Sequence, residues 1–161
     1  MEEPKTYFLH PGYIFASSEP HLIHTVLGSC VAVCLWDPKY SRGGICHYIL
    51  TKSDNGEHNG KYGEAAIPHL IRLMLDMGSI KKELKAHIVG GGDNPKFHSN
   101  VGLANADLAE QLLHQHQIEI LTQDVKGQFG RKVIFNSSTG EILIYKINDI
   151  RKDDWYGSNN H

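Results

Sequence analysis

The chain holds only three cysteines in 161 residues. So small and odd a number excludes a disulfide-stapled scaffold and leads us to expect reduced thiols, as in a cytoplasmic protein. No Cys-x-x-Cys or His-Glu-x-x-His spacing occurs, so the eleven histidines do not read as a metal site. His114 and His116 stand two apart, about 200° around a helix, and do not share a face. No apolar run approaches the ~20 residues of a membrane span, so membrane insertion is not expected. No block of basic residues occurs and the net charge is −2; nucleic acid is not an expected partner. The triplet Gly90-Gly91-Gly92 lacks the flanking pattern of a phosphate loop or a dinucleotide fingerprint. It reads as a tight turn, and no cofactor is expected. The opening Met1-Glu2-Glu3-Pro4-Lys5 lacks the charge and apolar pattern of a signal peptide, which again favours the cytoplasm.

What is present is an ordinary globular composition, 40% hydrophobic and 21% charged. We expect one domain over residues 1–148 and a polar tail over 149–161, with Trp155 and Tyr156 as an anchor. Residues 27–50 organise the chain. Two apolar runs, 31–36 and 44–50, flank a polar segment with Pro38, Gly43 and Gly44, the pattern of an antiparallel hairpin. A register centred between Pro38 and Lys39 places Cys30 opposite His47, where thiol and imidazole can share a proton. Just before the thiol, Gly28 and Ser29 break the apolar run 22–27. Such a corner turns backbone N–H groups outward, as candidate donors to an oxyanion. Two readings of the pair stand side by side: nucleophile and base, or a buried thiol beside a satisfied core histidine.

Short strands are expected at 7–9 and 13–16, around a His10-Pro11-Gly12 turn, and at 22–27. Residues 52–61 read as a loop able to overhang His47, with His58 in it, or as a plain solvent loop. Apolar spacing predicts a helix within 62–77, with Pro68 moving its regular start to about Ala65 and Gly78 ending it. A buried strand at 84–89 leads to the triple glycine. Asn100 is expected to cap a helix over 101–116, after an irregular loop at 93–99. A strand at 118–125 and a hairpin of 131–135 with 142–147 close the chain. The order implies an α+β fold, a layered α/β sandwich. Its mixed, largely antiparallel sheet carries two main helices.

Leu27-Gly28-Ser29-Cys30-Val31-Ala32-Val33 and Gly43-Gly44-Ile45-Cys46-His47 resemble the signature of the CheD family, the chemoreceptor glutamine deamidases of bacterial chemotaxis. The likeness continues in order through Gly60-Lys61-Tyr62, Ile88-Val89-Gly90-Gly91-Gly92, Asn100-Val101-Gly102-Leu103-Ala104-Asn105, Gly130-Arg131-Lys132-Val133 and Thr139-Gly140. The resemblance implies a fold similar to toxin-type deamidases such as cytotoxic necrotising factor. It implies Cys30 as nucleophile, His47 as base and a threonine as third residue: Thr25, with His24 as the alternative. The activity implied is conversion of receptor glutamines to glutamates, and the same machinery fits a carboxyl methyl ester. Implied partners are chemoreceptor cytoplasmic domains and a CheC-type phosphatase. A non-catalytic module docking to that phosphatase is the alternative function.

Overall fold

The two apolar runs of residues 27–50 form β4 (Val31–Asp37) and β5 (Arg42–Tyr48), buried along almost their whole length. In the computed structural model, which describes residues 3–94, 96 and 99–148, each face of this hairpin meets a different layer. Val31, Val33, Leu35, Cys46 and Tyr48 pack against two helices, α1 (Gly63–Asp76) and α2 (Val101–Gln115). Ala32, Cys34 and Ile45 pack instead against a second sheet. Strict alternation along each strand divides the side chains between the two cores.

The hairpin lies within a five-stranded mixed sheet of order β2-β5-β4-β6-β7, where β2 is Ile14–Ser17, β6 Lys85–Gly90 and β7 Glu119–Val125. The second sheet has the order β1-β3-β8-β9, with β1 at Lys5–Phe8, β3 at His21–Leu27, β8 at Gly130–Asn136 and β9 at Ile142–Ile147. Five of the seven strand pairings are antiparallel; β1 with β3 and β6 with β7 are parallel. The layered α+β arrangement follows the expectation, but the strands divide into two sheets stacked under the helices. The strands flanking the His10-Pro11-Gly12 turn do not pair with each other. The chain passes there from one sheet to the other, and does so again between β3 and β4.

The hairpin register differs from the expected one by two residues: Ala32 pairs with His47 and Cys34 with Ile45. The turn is the cause. Asp37 Oδ1 accepts hydrogen bonds from the backbone N–H groups of Lys39 (2.9 Å) and Tyr40 (3.3 Å). Ser41 takes a left-handed φ of 53°. This closes a loop of residues 38–41 on the pair Asp37–Arg42. A shift of two conserves the face on which each side chain stands, so His47 still points toward the second sheet.

α1 begins at Gly63, two residues earlier than expected, and keeps Pro68 inside it. Pro68 is tolerated because it lies on the outer flank, lining a surface groove with His58, Asn59, Ala65, His69 and Arg72. His58 thus faces α1. Gly78 ends the helix as expected (φ 103°): its N–H bonds Leu75 O and that of Ser79 bonds Met74 O. Leu70 and Met74 are fully buried, each worth about 1.5–3 kcal/mol of apolar transfer. At α2, Asn100 holds the cap position without a side-chain bond; Ser99 Oγ accepts the Val101 N–H at 3.1 Å. Pro95 of the expected 93–99 loop and the expected anchor Trp155 and Tyr156 lie outside the described residues.

On the outward face of the four-stranded sheet, Phe8, Leu143 and Tyr145 are more than half exposed among the described residues. No helix among the described residues is long and apolar enough to cross a membrane.

Gly140 joins the closing hairpin to β4. Its φ is +79°, and a Cβ there would lie 2.3 Å from the Trp36 ring. Gly140→Ala is therefore expected to destabilise the protein by about 2–4 kcal/mol, from left-handed strain plus overpacking. A urea midpoint at pH 7.5 within error of the wild type would refute this packing.

Candidate active site

Cys30 stands where the chain leaves β3 and enters β4, at the crossing between the two sheets. It packs among Leu9, Ile23, Leu27, Ala32 and Val89 and is 8% exposed. The corner is held by its carbonyl groups. Gly28 O accepts the Gly92 N–H (2.9 Å), Ser29 O accepts Asn105 Nδ2 (3.0 Å), and Cys30 O accepts the Gly91 N–H (2.8 Å). The triple glycine is not the tight turn its composition implied: Gly90 ends β6, and Gly91 and Gly92 run on as irregular chain whose N–H groups bond the corner. Gly90 has φ +112°, and a Cβ on it would lie 2.3 Å from Cys30 O, so only glycine allows this approach.

His47 is 1% exposed. Its ring crosses to β3, where Nδ1 lies 2.7 Å from Thr25 Oγ1. Thr25 has one hydroxyl proton, and that proton is donated to Leu9 O at 2.9 Å. Oγ1 therefore accepts from His47, which assigns the proton to Nδ1 and leaves a lone pair on Nε2. Nε2 is buried and has no hydrogen-bond partner among the described residues. The backbone of His47 is also clamped: its carbonyl accepts the Gly12 N–H (2.7 Å) and its N–H bonds Tyr13 O (3.2 Å). The 9–13 crossover thus holds both the threonine and the histidine. Burial lowers the His47 pKa to about 3, so the ring is neutral at neutral pH.

Thr25 and His47 therefore meet between the sheets; Cys30 belongs to the same inter-sheet core, one residue before β4, the strand that pairs with β5. Thr25, on the inner face of β3, is the residue that meets His47. His24 points the other way, its ring 5.0 Å from that of Phe8 on the outer face. Gly28 and Ser29 form the corner as expected. Cys34 and Cys46 lie wholly inside the cores; none of the three cysteines is in a disulfide. No group of three or more His, Cys, Asp or Glu side chains is arranged to hold a metal among the described residues.

Two contributors are not evident from motif spacing. The Leu9 carbonyl is a main-chain group and leaves no side-chain signal. Asn105 does leave one: it is a polar residue on the buried stripe of α2, with Gly102, Ala106, Ala109 and Leu113.

Fold and site define a three-layer α+β protein with a histidine hydrogen-bonded to a threonine between its sheets and a cysteine at the crossing from one sheet to the other. The family model described as CheD chemotactic sensory transduction matches residues 49–146. A protein of Sulfurimonas denitrificans named probable chemoreceptor glutamine deamidase CheD is 36% identical, over 89% of this chain and 95% of its own length. A protein of the same name from Trichlorobacter lovleyi is 38% identical over 87% of this chain and 89% of its own. The chain belongs to the CheD family.

A histidine neutral in the fold, with a pKa near 3 against about 6.5 unfolded, makes the unfolded state bind more protons over that interval. Stability therefore falls as pH drops through 6.5 toward 3. His87, likewise lowered by burial, adds in the same direction. From pH 7.5 to 5, His47 alone is expected to cost about 2 kcal/mol. Urea unfolding of His47→Gln should show a pH dependence shallower than the wild type by that amount. Identical pH profiles for the two proteins would refute the neutral, buried imidazole.

Proposed function

We propose that the protein is a cysteine-dependent amidohydrolase that converts glutamines of chemoreceptor cytoplasmic domains to glutamates, acting in the cytoplasm. The observation that carries this reading is the Leu9–Thr25–His47 chain of hydrogen bonds, which leaves Nε2 of a neutral imidazole as a lone pair. The names of the relatives support the same substrate class.

In the proposed reaction His47 Nε2 takes the Cys30 thiol proton as sulfur attacks the carboxamide carbon. Burial disfavours a standing imidazolium, so proton transfer is coupled to carbon–sulfur bond formation. The imidazolium, still held at Nδ1 by Thr25, gives its proton to the departing amide nitrogen. The C–N bond breaks, ammonia leaves, and a thioester remains. Water then attacks that carbonyl while His47 takes its proton. The carbon–sulfur bond breaks, glutamate is released, and the thiol is restored. We assign the oxyanion to backbone N–H groups of the corner near Ser29 and Cys30. A methyl ester would follow the same course with methanol leaving.

Each glutamine so converted gains a negative charge on the receptor, which changes repulsion within a helical bundle. For the CheC-type phosphatase, the outer face with Phe8, Leu143 and Tyr145 is the surface we assign to docking. A purely docking role would rest on that face alone.

Co-expression with a receptor cytoplasmic domain tests the reaction by peptide mass spectrometry. The intact protein should add ~1 Da at individual glutamines, as amide NH₂ becomes OH. Cys30→Ala should add none, and Thr25→Val should slow the conversion roughly 10- to 100-fold through a disoriented His47. Unchanged conversion by Cys30→Ala would remove the catalytic assignment and leave the docking role.

A further inference from the structure

Asn105 is fully buried, and its contacts converge on both proposed catalytic segments. Its Nδ2 donates to Ser29 O (3.0 Å), one residue before Cys30, and to Ile49 O (2.8 Å), two residues after His47. Its own main-chain carbonyl accepts the hydroxyl of Tyr48, the residue next to His47. Both acceptors of the side-chain amide are carbonyl oxygens, which fixes the amide orientation and places Oδ1 away from them. Oδ1 is buried without a partner among the described residues. A packed interior keeps such an atom, at a cost of about 1–3 kcal/mol, only where the rest of the group is needed.

We infer that Asn105 is a positioning residue that sets the spacing of Cys30 and His47, tying the segment of each to one point on α2. This deepens the proposed reaction and rests on it. The β4–β5 ladder already pairs Val31 with Tyr48 and Ala32 with His47 along the main chain; Asn105 adds a side-chain tie from α2 to the residue before Cys30 and to the second residue after His47. Because it lies behind the corner and is wholly buried, it does not touch substrate. Removing the amide lets the Ser29–Cys30 peptide rotate and moves the thiol relative to Nε2, and a displacement of about 1 Å is worth about 100-fold in rate.

The test uses the full chain and two readouts. With receptor domain as substrate, Asn105→Ala is expected to lower kcat 10- to 100-fold and leave KM within twofold. With iodoacetamide and no substrate, alkylation of Cys30 in the folded protein at pH 7, followed by mass spectrometry, is expected to slow at least tenfold. His47→Gln should slow it similarly. Cys34 and Cys46 are inaccessible and serve as internal controls for folding. Should Asn105→Ala not fold, Tyr48→Phe removes only the hydroxyl that bonds Asn105 O, and a three- to tenfold loss in both readouts is expected. Wild-type kcat and alkylation rate in the folded variant overturn the inference. So does a rise in KM with kcat unchanged, which would mark substrate contact. The alkylation arm needs no deamidation, so a failure of the proposed reaction, seen as full activity of Cys30→Ala, is read separately.

Discussion

The bond between His47 and Thr25 crosses from one sheet to the other, and the geometry of the site depends on that crossing. It needs β5 to present His47 on its inner face and β3 to present Thr25 on the facing one. Neither condition is local. The first is set by the four-residue turn after Asp37, which fixes register. The second is set by the pairing of β3 with β8, which turns Ile23, Thr25 and Leu27 inward together. The Leu9 carbonyl completes the chain because the backbone, leaving β1, passes to the other sheet at that point. A main-chain acceptor cannot rotate or ionise, so it settles the direction of the Thr25 hydroxyl and, through it, the tautomer of the histidine.

The site is placed where the fold is least regular. Between β3 and β4 three residues carry the chain from sheet to sheet, and three carbonyl groups anchor them to Gly91, Gly92 and α2. Glycine at 90 permits the contact with Cys30 O, and glycine at 102 permits the equally close contact of α2 with Gly91 and Gly92. These close approaches bring a helix, a strand end and a corner together without side chains between them. The resulting backbone bonds are buried, and in a low-dielectric setting such bonds resist displacement more than exposed ones.

Much of this arrangement was legible in the sequence. The apolar runs marked the hairpin, the Gly78 stop marked the end of α1, and the ordered short motifs marked the family. Motif spacing alone put His24 at the position of the third residue and reached Thr25 only through a one-residue gap; the inward face of β3 brings Thr25 to His47. The register could not be read correctly, because the side-chain turn at Asp37 and the left-handed Ser41 decide it and neither alters the apolar pattern. Nor could the split into two sheets be read: strands β1 and β2 look like one hairpin, and only tertiary pairing sends them apart. Pro68 was weighed by its helix-breaking chemistry, whereas its position on the outer flank of α1 made that chemistry tolerable. Asn105 was visible as a polar residue on an apolar stripe, but its partners are carbonyl groups 56 and 76 positions away, which no local pattern encodes.

Three thiols lie on this hairpin and its entry, and the fold distinguishes them. Cys34 and Cys46 are fully buried, and desolvation pushes both thiols up, Cys46 to about 12. At such values the thiolate is absent at neutral pH, so neither can act as a nucleophile there. Cys34 faces the inter-sheet core, like Cys30, yet it lies well inside the sheet, where β5 and β6 pair with it on either side. Cys46 faces the helices, the wrong side for His47. Cys30 alone of the three stands outside the strand proper, on the face shared with His47 and next to the peptide whose carbonyl Asn105 holds. The distinction is one of topology: a cysteine at the sheet crossing keeps some access to solvent, while a cysteine four residues further on, inside β4, loses it. In the proposed reaction, that difference in position selects the nucleophile from three residues of identical chemistry.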